Sequence, residues 1–172
     1  HVEILVADLS SQAEVRRVAA EFLARHDRLD LLINNAGALF MERKESVDGL
    51  EMTFALNHLG YFLLTNLLID VLKKSAPARV VSVASRAHGR GTISFDDLQS
   101  KRGYSGWSAY SQSKLANILF SNELARRLAG SGVTSNCLHP GVVATGFGKN
   151  NSGLMGFLVK LGAPFLRTPE KG

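Results

Sequence analysis

Short apolar runs alternate with long amphipathic stretches along the chain. Residues 2–9 read as a strand delivering Asp8 at its C-terminal end. Ser10 or Ser11 then caps a helix to about His26, with Val15, Val18, Ala19 and Phe22 on its inner face. Residues 29–33 predict a second strand, so apolar that both faces need cover, and it opens into Asn34-Asn35-Ala36-Gly37. A helix follows over 47–74 with Leu50, Phe54, Leu63, Leu64, Leu67, Leu68 and Val71, its apolar run interrupted by Asn57-His58-Leu59-Gly60. Residues 79–85 form a third strand, and 86–106 a glycine-rich polar loop with one helical turn near Phe95–Leu98. A loop of that length in a compact domain is often functional. The helix at 107–129 has Leu115, Ile118, Leu119 and Leu124 as its core stripe, with Gly130 and Gly132 as C-cap candidates. Residues 133–139 make a fourth strand, stopped by Pro140-Gly141. Strands alternating with helices imply crossover connections and a parallel sheet.

Composition fits one α/β-sized domain of 172 residues, 45% hydrophobic and 20% charged. The formal net charge is +5, but Arg16, Arg17, Arg25, Lys73, Lys74, Arg126 and Arg127 sit within or toward the ends of helices, where cations oppose the helix dipole. No basic stripe is interleaved with aromatics, so no nucleic-acid partner is expected. Cys137 is the single cysteine; it excludes an intramolecular disulfide and a cysteine-cluster metal site and suits a reducing, cytoplasmic setting. The five histidines lack metal-ligand spacing. No apolar run is long enough to span a bilayer. The segment 153–166 suits a mobile apolar lid or an interfacial helix, and a core helix equally well.

Tyr110 and Lys114 stand four residues apart in a helical pattern, so both emerge from one face. A phenol is a poor acid or base near neutrality, and an ammonium beside it favours the phenolate and lowers its pKa. Alone, the spacing more often means a solvated lysine beside a half-buried tyrosine. The other candidates are equally ambiguous one by one. Asp8 reads as a turn or cap aspartate, Asn34–Gly37 as a turn, Asn57 as a helix-packing amide, and Ser85 as a strand-end cap. Their order is the stronger signal, because each falls at a successive strand end or on a helix between strands.

That order resembles the short-chain dehydrogenase/reductase family over nearly the whole chain. The resemblance implies an α/β fold, a doubly wound parallel sheet of Rossmann type, incomplete here at both ends, with 1–172 forming part of one dinucleotide-binding domain. Asn57, Ser85, Tyr110 and Lys114 match the family's catalytic tetrad. Asp8, with Leu9, matches the acid contacting adenine, and Asn35, Ala36 and Gly37 fall in the adenine-side strand motif. Pro140, Gly141, Val143 and Thr145 fall in the segment holding the nicotinamide carboxamide, while Tyr110 and Lys114 also face the cofactor. The implied cofactor is NADP or NAD. The implied reaction interconverts a small-molecule alcohol with its aldehyde or ketone. Tyr110 would act as acid or base, Lys114 would depress its pKa and bind the nicotinamide ribose, Ser85 would polarise the substrate oxygen, and Asn57 would hold a water linking Lys114 to solvent. Residues 57–65 and 85–88 look most like the retinol dehydrogenase-like group, and the apolar stretch after Thr145 suggests a hydrophobic, retinoid-like substrate.

The family's opening strand and T-G-x-x-x-G-x-G turn have no counterpart among these residues, and both ends read as cuts. In the doubly wound order 3-2-1-4-5-6, this separates the strand at 2–7 from that at 29–33 and leaves the latter an unpaired edge. The chain by itself is therefore expected to be marginally stable and to bind dinucleotide poorly. A homodimer through the 47–74 and 107–129 helices is a further expectation, and membrane attachment is left open. The competing reading is a non-catalytic scaffold that uses those helix faces.

Overall fold

The computed structural model describes residues 1–141. Three parallel strands, β1 (Leu31–Asn34), β2 (Ala78–Val83) and β3 (Val133–Leu138), lie in the order β1-β2-β3. Asn34 sits beside Ser82, and Ser82 beside Cys137, so the C-terminal ends of the strands open at one sheet edge. Ligands gather beyond that edge in open parallel sheets.

Helix α1 (Gln12–Arg25) begins at Ser11, whose hydroxyl accepts from the Glu14 amide, and ends at His26, as expected. Residues 2–8 differ from expectation: they run extended but join no strand ladder among the described residues. Val2, Ile4 and Val6 are 87%, 80% and 79% exposed. The segment is instead strapped to α1, by Arg17 Nη2 donating to the Val6 carbonyl at 2.6 Å and by the Glu3–Arg25 ion pair. An apolar groove of about 300 Å³, lined by Leu5, Ala7, Val18, Phe22, Leu29 and Leu64, separates it from β1. Laddered strands must lie about 4.8 Å apart, so the expected separation from β1 holds while the strand itself does not form.

The helix expected over 47–74 starts later and is broken. Ser46 and Gly49 close a turn, with Gly49 at φ 71°, and leave Val47 exposed. The chain turns helical only where the buried Glu51 carboxylate accepts from the Thr53 and Phe54 amides at 2.8 and 2.7 Å. A carboxylate placed there satisfies otherwise orphaned N–H groups. Then come α2 (Met52–Phe54), a π-helical turn (Ala55–Leu59), α3 (Gly60–Leu67) and α4 (Ile69–Lys74). Gly60 is required: a methyl group there would lie 2.6 Å from the Leu9 carbonyl oxygen. The core is formed by Leu68, Val71 and Leu72 against Val80, Leu124 and Val133.

After β2, two 3₁₀ turns punctuate the long loop: the expected one at Phe95–Asp97, and one at Arg86–Arg90 that was not expected. Helix α5 (Gly106–Arg127) follows, capped by Ser105. Its expected aliphatic stripe is corrected. Leu119 is half-exposed, Leu115 and Ile118 are only partly covered, and the buried face carries Tyr110, Ser113, Lys114, Asn117, Ser121 and Leu124. Ser121 and Ser135 hydrogen-bond at 3.0 Å, joining α5 to β3 through polar atoms. The helix is therefore polar inward, bonded to the sheet and its neighbours through side-chain polar atoms.

Candidate active site

Tyr110 and Lys114 share the inner face of α5, 8% and 3% exposed. Lys114 Nζ donates to the Val83 carbonyl at 2.9 Å, which ties it to the end of β2. It lies 5.6 Å from the Tyr110 ring centroid and 5.8 Å from that of Tyr61. Ser85, just past β2, hydrogen-bonds with the Tyr110 phenol, and its hydroxyl also accepts from the Ala87 amide at 3.2 Å. Three of the four expected residues thus meet where β2 ends.

Asn57 supplies the fourth. It is fully buried in the π-helical turn. Its side chain pairs with one residue of backbone: Oδ1 accepts from the Ala38 amide and Nδ2 donates to the Ala38 carbonyl, both at 2.9 Å. Nδ2 also reaches Ser113 Oγ at 3.1 Å, and Ser113 in turn donates to the Tyr110 carbonyl at 2.7 Å. The packing reading of this asparagine is seen in these bonds, which tie the turn to Ala38 and to α5. A methyl group added at Gly37 would lie 3.3 Å from Asn57 Oδ1 and 3.4 Å from Lys114 Nζ. A side chain at Gly37 would therefore enter the space beside both the amide and the ammonium.

Burial dominates the electrostatics. It pushes the Tyr110 phenol above its ordinary value, opposed by the Ser85 hydrogen bond. It pulls the Lys114 ammonium down from 10.5 to about 8. The expectation that Lys114 lowers the phenol is therefore corrected for this arrangement. The ammonium faces the ring and the Val83 carbonyl, and desolvation of the phenolate outweighs it. Tyr61 is raised too, again by burial, with Tyr110 adding to it.

Of the remaining expected residues, Asn35, Ala36 and Gly37 follow β1 and Pro140 and Gly141 follow β3 at the same sheet edge, while Asp8 and Leu9 stand at the entry to α1. Asp8 is exposed at the entry to α1, and its Oδ1 accepts from the Ser10 amide at 2.9 Å and hydroxyl at 2.7 Å. Leu9 presses its carbonyl toward Gly60. Asn35 and Gly37 are exposed past β1, while Tyr61 donates from its hydroxyl to the Ala36 carbonyl at 2.7 Å. Pro140 and Gly141 follow β3, Gly141 at φ 87°, a conformation that favours glycine. Val143, Thr145 and the apolar stretch at 153–166 lie outside the described residues. Four residues escaped the sequence reading: Tyr61, Ser113, His58 and Asn117. Spacing offered a signal for two of them, since Ser113 and Asn117 follow Tyr110 and Lys114 by three positions on the same helix face.

The chain belongs to the short chain dehydrogenase family, whose pattern it matches over residues 1–153. Its curated relatives include human retinol dehydrogenase 14, 53% identical over 83% of this chain and 43% of its own length. Human retinol dehydrogenase 12 is 49% identical over 96% of this chain and 52% of its own length. The chain therefore spans about half the length of these relatives. Among solved structures, an uncharacterised Mycobacterium paratuberculosis protein superposes with a TM-score of 0.73 at 41% identity, covering 95% of this chain and 56% of that one. The NADP active-site complex of Pseudomonas aeruginosa RhlG gives a TM-score of 0.62 at 35% identity, covering 80% and 52%. Both likenesses support the doubly wound α/β fold.

Proposed function

We propose that the intact protein is an NAD(P)-dependent oxidoreductase that interconverts an alcohol and a carbonyl on a hydrophobic, retinoid-like substrate. The observation that carries this reading is the burial of Tyr110 and Lys114 on one face of α5, with Ser85 on the phenol and Asn57 braced alongside. The substrate class is supported by the relatives' names, retinol dehydrogenases 12 and 14.

The residues fit a dinucleotide. Gly37 is open beside Asn57 and Lys114, where any side chain would crowd both. Asp8, Leu9, Asn35, Ala36, Gly37, Tyr110, Lys114, Pro140 and Gly141 would hold the cofactor, with Val143 and Thr145 completing the set. When bound, it supplies or accepts the hydride. Tyr110, a phenol that burial pushes above its ordinary value, gives its proton to the substrate oxygen in reduction. Ser85 donates to the same oxygen, where negative charge develops. Lys114, anchored on Val83, keeps a cation beside the phenol and favours the phenolate that proton donation leaves behind. The Asn57 backbone carbonyl accepts from Asn117 Nδ2 and would also be the acceptor for a water linking Lys114 to solvent.

A panel of long-chain aldehydes and ketones with NADPH or NADH, and of the matching alcohols with NADP⁺ or NAD⁺, tests this reading. Turnover on hydrophobic aldehydes is expected, and none with any member of the panel would overturn it.

A homodimer through α3 and α5 is part of the same reading. Phe62 and Leu119 are half-exposed on those helices, and the Phe62 and Phe120 rings meet at a tilt of 58° with centroids 5.5 Å apart. Phe62→Glu is expected to shift the protein from dimer to monomer in sedimentation velocity. A wild-type monomer contradicts the expectation.

A further inference from the structure

The π-helical turn at Ala55–Leu59 carries Asn57, and an insertion of this kind turns every following side chain by roughly 100° relative to a regular helix. Something must keep the turn from relaxing. Asn117 is fully buried on α5, three positions after Lys114, so it faces the same side one turn further along. Its Nδ2 donates to the Asn57 carbonyl at 2.9 Å. Its Oδ1 then faces the His58 ring, whose Nδ1 lies 3.0 Å away. With the amide committed as donor to Asn57, the oxygen accepts, and Nδ1 is the protonated ring nitrogen. One side chain thus grips two successive residues of the turn, the backbone of Asn57 and the side chain of His58. His58 is itself wedged against Phe54 and Phe120, with ring centroids 5.1 and 6.3 Å away.

We propose that Asn117, oriented by His58, is a positioning residue for proton transfer: it locks the π-helical turn to the helix bearing Lys114 and so fixes Asn57 against the ammonium. Asn117 itself stands behind the turn. It acts through Asn57, whose side chain already uses both its polar atoms on Ala38 and has no means of anchoring its own backbone. The inference rests on the reading of Asn57, Tyr110 and Lys114 as the reacting site.

The test compares Asn117→Leu, His58→Phe and His58→Gln in the intact gene product, with Tyr110→Phe alongside. Leucine keeps the branching and heavy-atom count of asparagine with bulkier methyl ends, and removes both hydrogen bonds. Phenylalanine keeps a ring against Phe54 and Phe120 but offers no donor, and glutamine keeps a donor. Asn117→Leu is expected to lower kcat roughly ten- to hundredfold, as a misplaced reacting group does. KM for dinucleotide and substrate should stay within about twofold, which separates lost positioning from lost binding. His58→Phe should follow Asn117→Leu, and His58→Gln should recover most of the loss. A wild-type kcat in Asn117→Leu, or a kcat that falls only with the folded fraction seen by near-UV circular dichroism, overturns the proposal. If Asn117→Leu does not fold, equal kcat in the two His58 variants overturns it. Tyr110→Phe separates the two claims: should it retain turnover, the reading of the site fails. A dead Tyr110→Phe beside a wild-type-like Asn117→Leu sinks the positioning role alone.

Discussion

Burying Lys114 has a cost that pH can remove. Its ammonium is lowered from 10.5 to about 8 by desolvation, with the side chain 3% exposed. At about 1.4 kcal/mol per pH unit, that depression corresponds to about 3 kcal/mol of folding free energy. The sign follows from proton counting. Between pH 8 and 10.5 the unfolded chain still binds the proton and the folded chain has released it, so stability from this group rises with pH across that window. Below pH 8 the full penalty applies. Lys114→Met removes the titration, and at neutral pH the gain is partly offset, because the Val83 carbonyl loses its donor at a cost of about 1–3 kcal/mol. The variant need not be more stable than wild type at pH 7. What it must change is the slope. Urea unfolding of both proteins without dinucleotide, from pH 7 to 10.5, should show wild type gaining about 2–3 kcal/mol on the variant as pH rises. Parallel curves, or a wild type that loses ground with rising pH, would refute the claim that the ammonium is held against a desolvation penalty.

Two further outcomes follow from the packing. Gly60→Ala places a methyl group 2.6 Å from the Leu9 carbonyl, so the α1 entry must move from α3; a loss of about 1–3 kcal/mol is expected by thermal unfolding, and an unchanged Tm contradicts the contact. Glu51→Ala removes the carboxylate that caps α2 and accepts from the Tyr104 hydroxyl at 3.2 Å; it should cost about 1–2 kcal/mol or more and raise proteolysis in the 86–106 loop, whereas a neutral effect on both would show that the loop is held elsewhere.

Elements whose signal is local were legible in the sequence. Ser11 and the apolar spacing behind it predicted α1 almost to the residue, because a cap and a helical period are chain-local features. The order of Asn57, Ser85, Tyr110 and Lys114 across strand ends pointed to four residues that the fold brings together near the end of β2, although no single residue carried the signal. Tertiary interactions hid the rest. Residues 2–8 have strand composition, but a strand exists only where a neighbour lies at ladder distance, and an apolar groove occupies that place. The start of the second helical stretch was set by the buried carboxylate of Glu51, which composition could not distinguish from a solvated glutamate. Leu119 looked like core because it is apolar at helical spacing. Burial instead went to Ser113, Asn117 and Ser121, which face the polar site and the sheet. Proximity to an ammonium suggested a lowered phenol, yet burial, which spacing does not report, pushed Tyr110 the other way.

The most direct test is the NADPH-dependent reduction of a hydrophobic aldehyde by the intact protein and by Tyr110→Phe, with circular dichroism and thermal unfolding to confirm that both are folded. The phenylalanine ring preserves the packing against Trp107, where the centroids lie 6.3 Å apart, and removes only the proton donor. The account predicts that wild type turns over and that the variant stays folded while losing at least about a hundredfold in kcat. A folded Tyr110→Phe that reduces the aldehyde at the wild-type rate would contradict it.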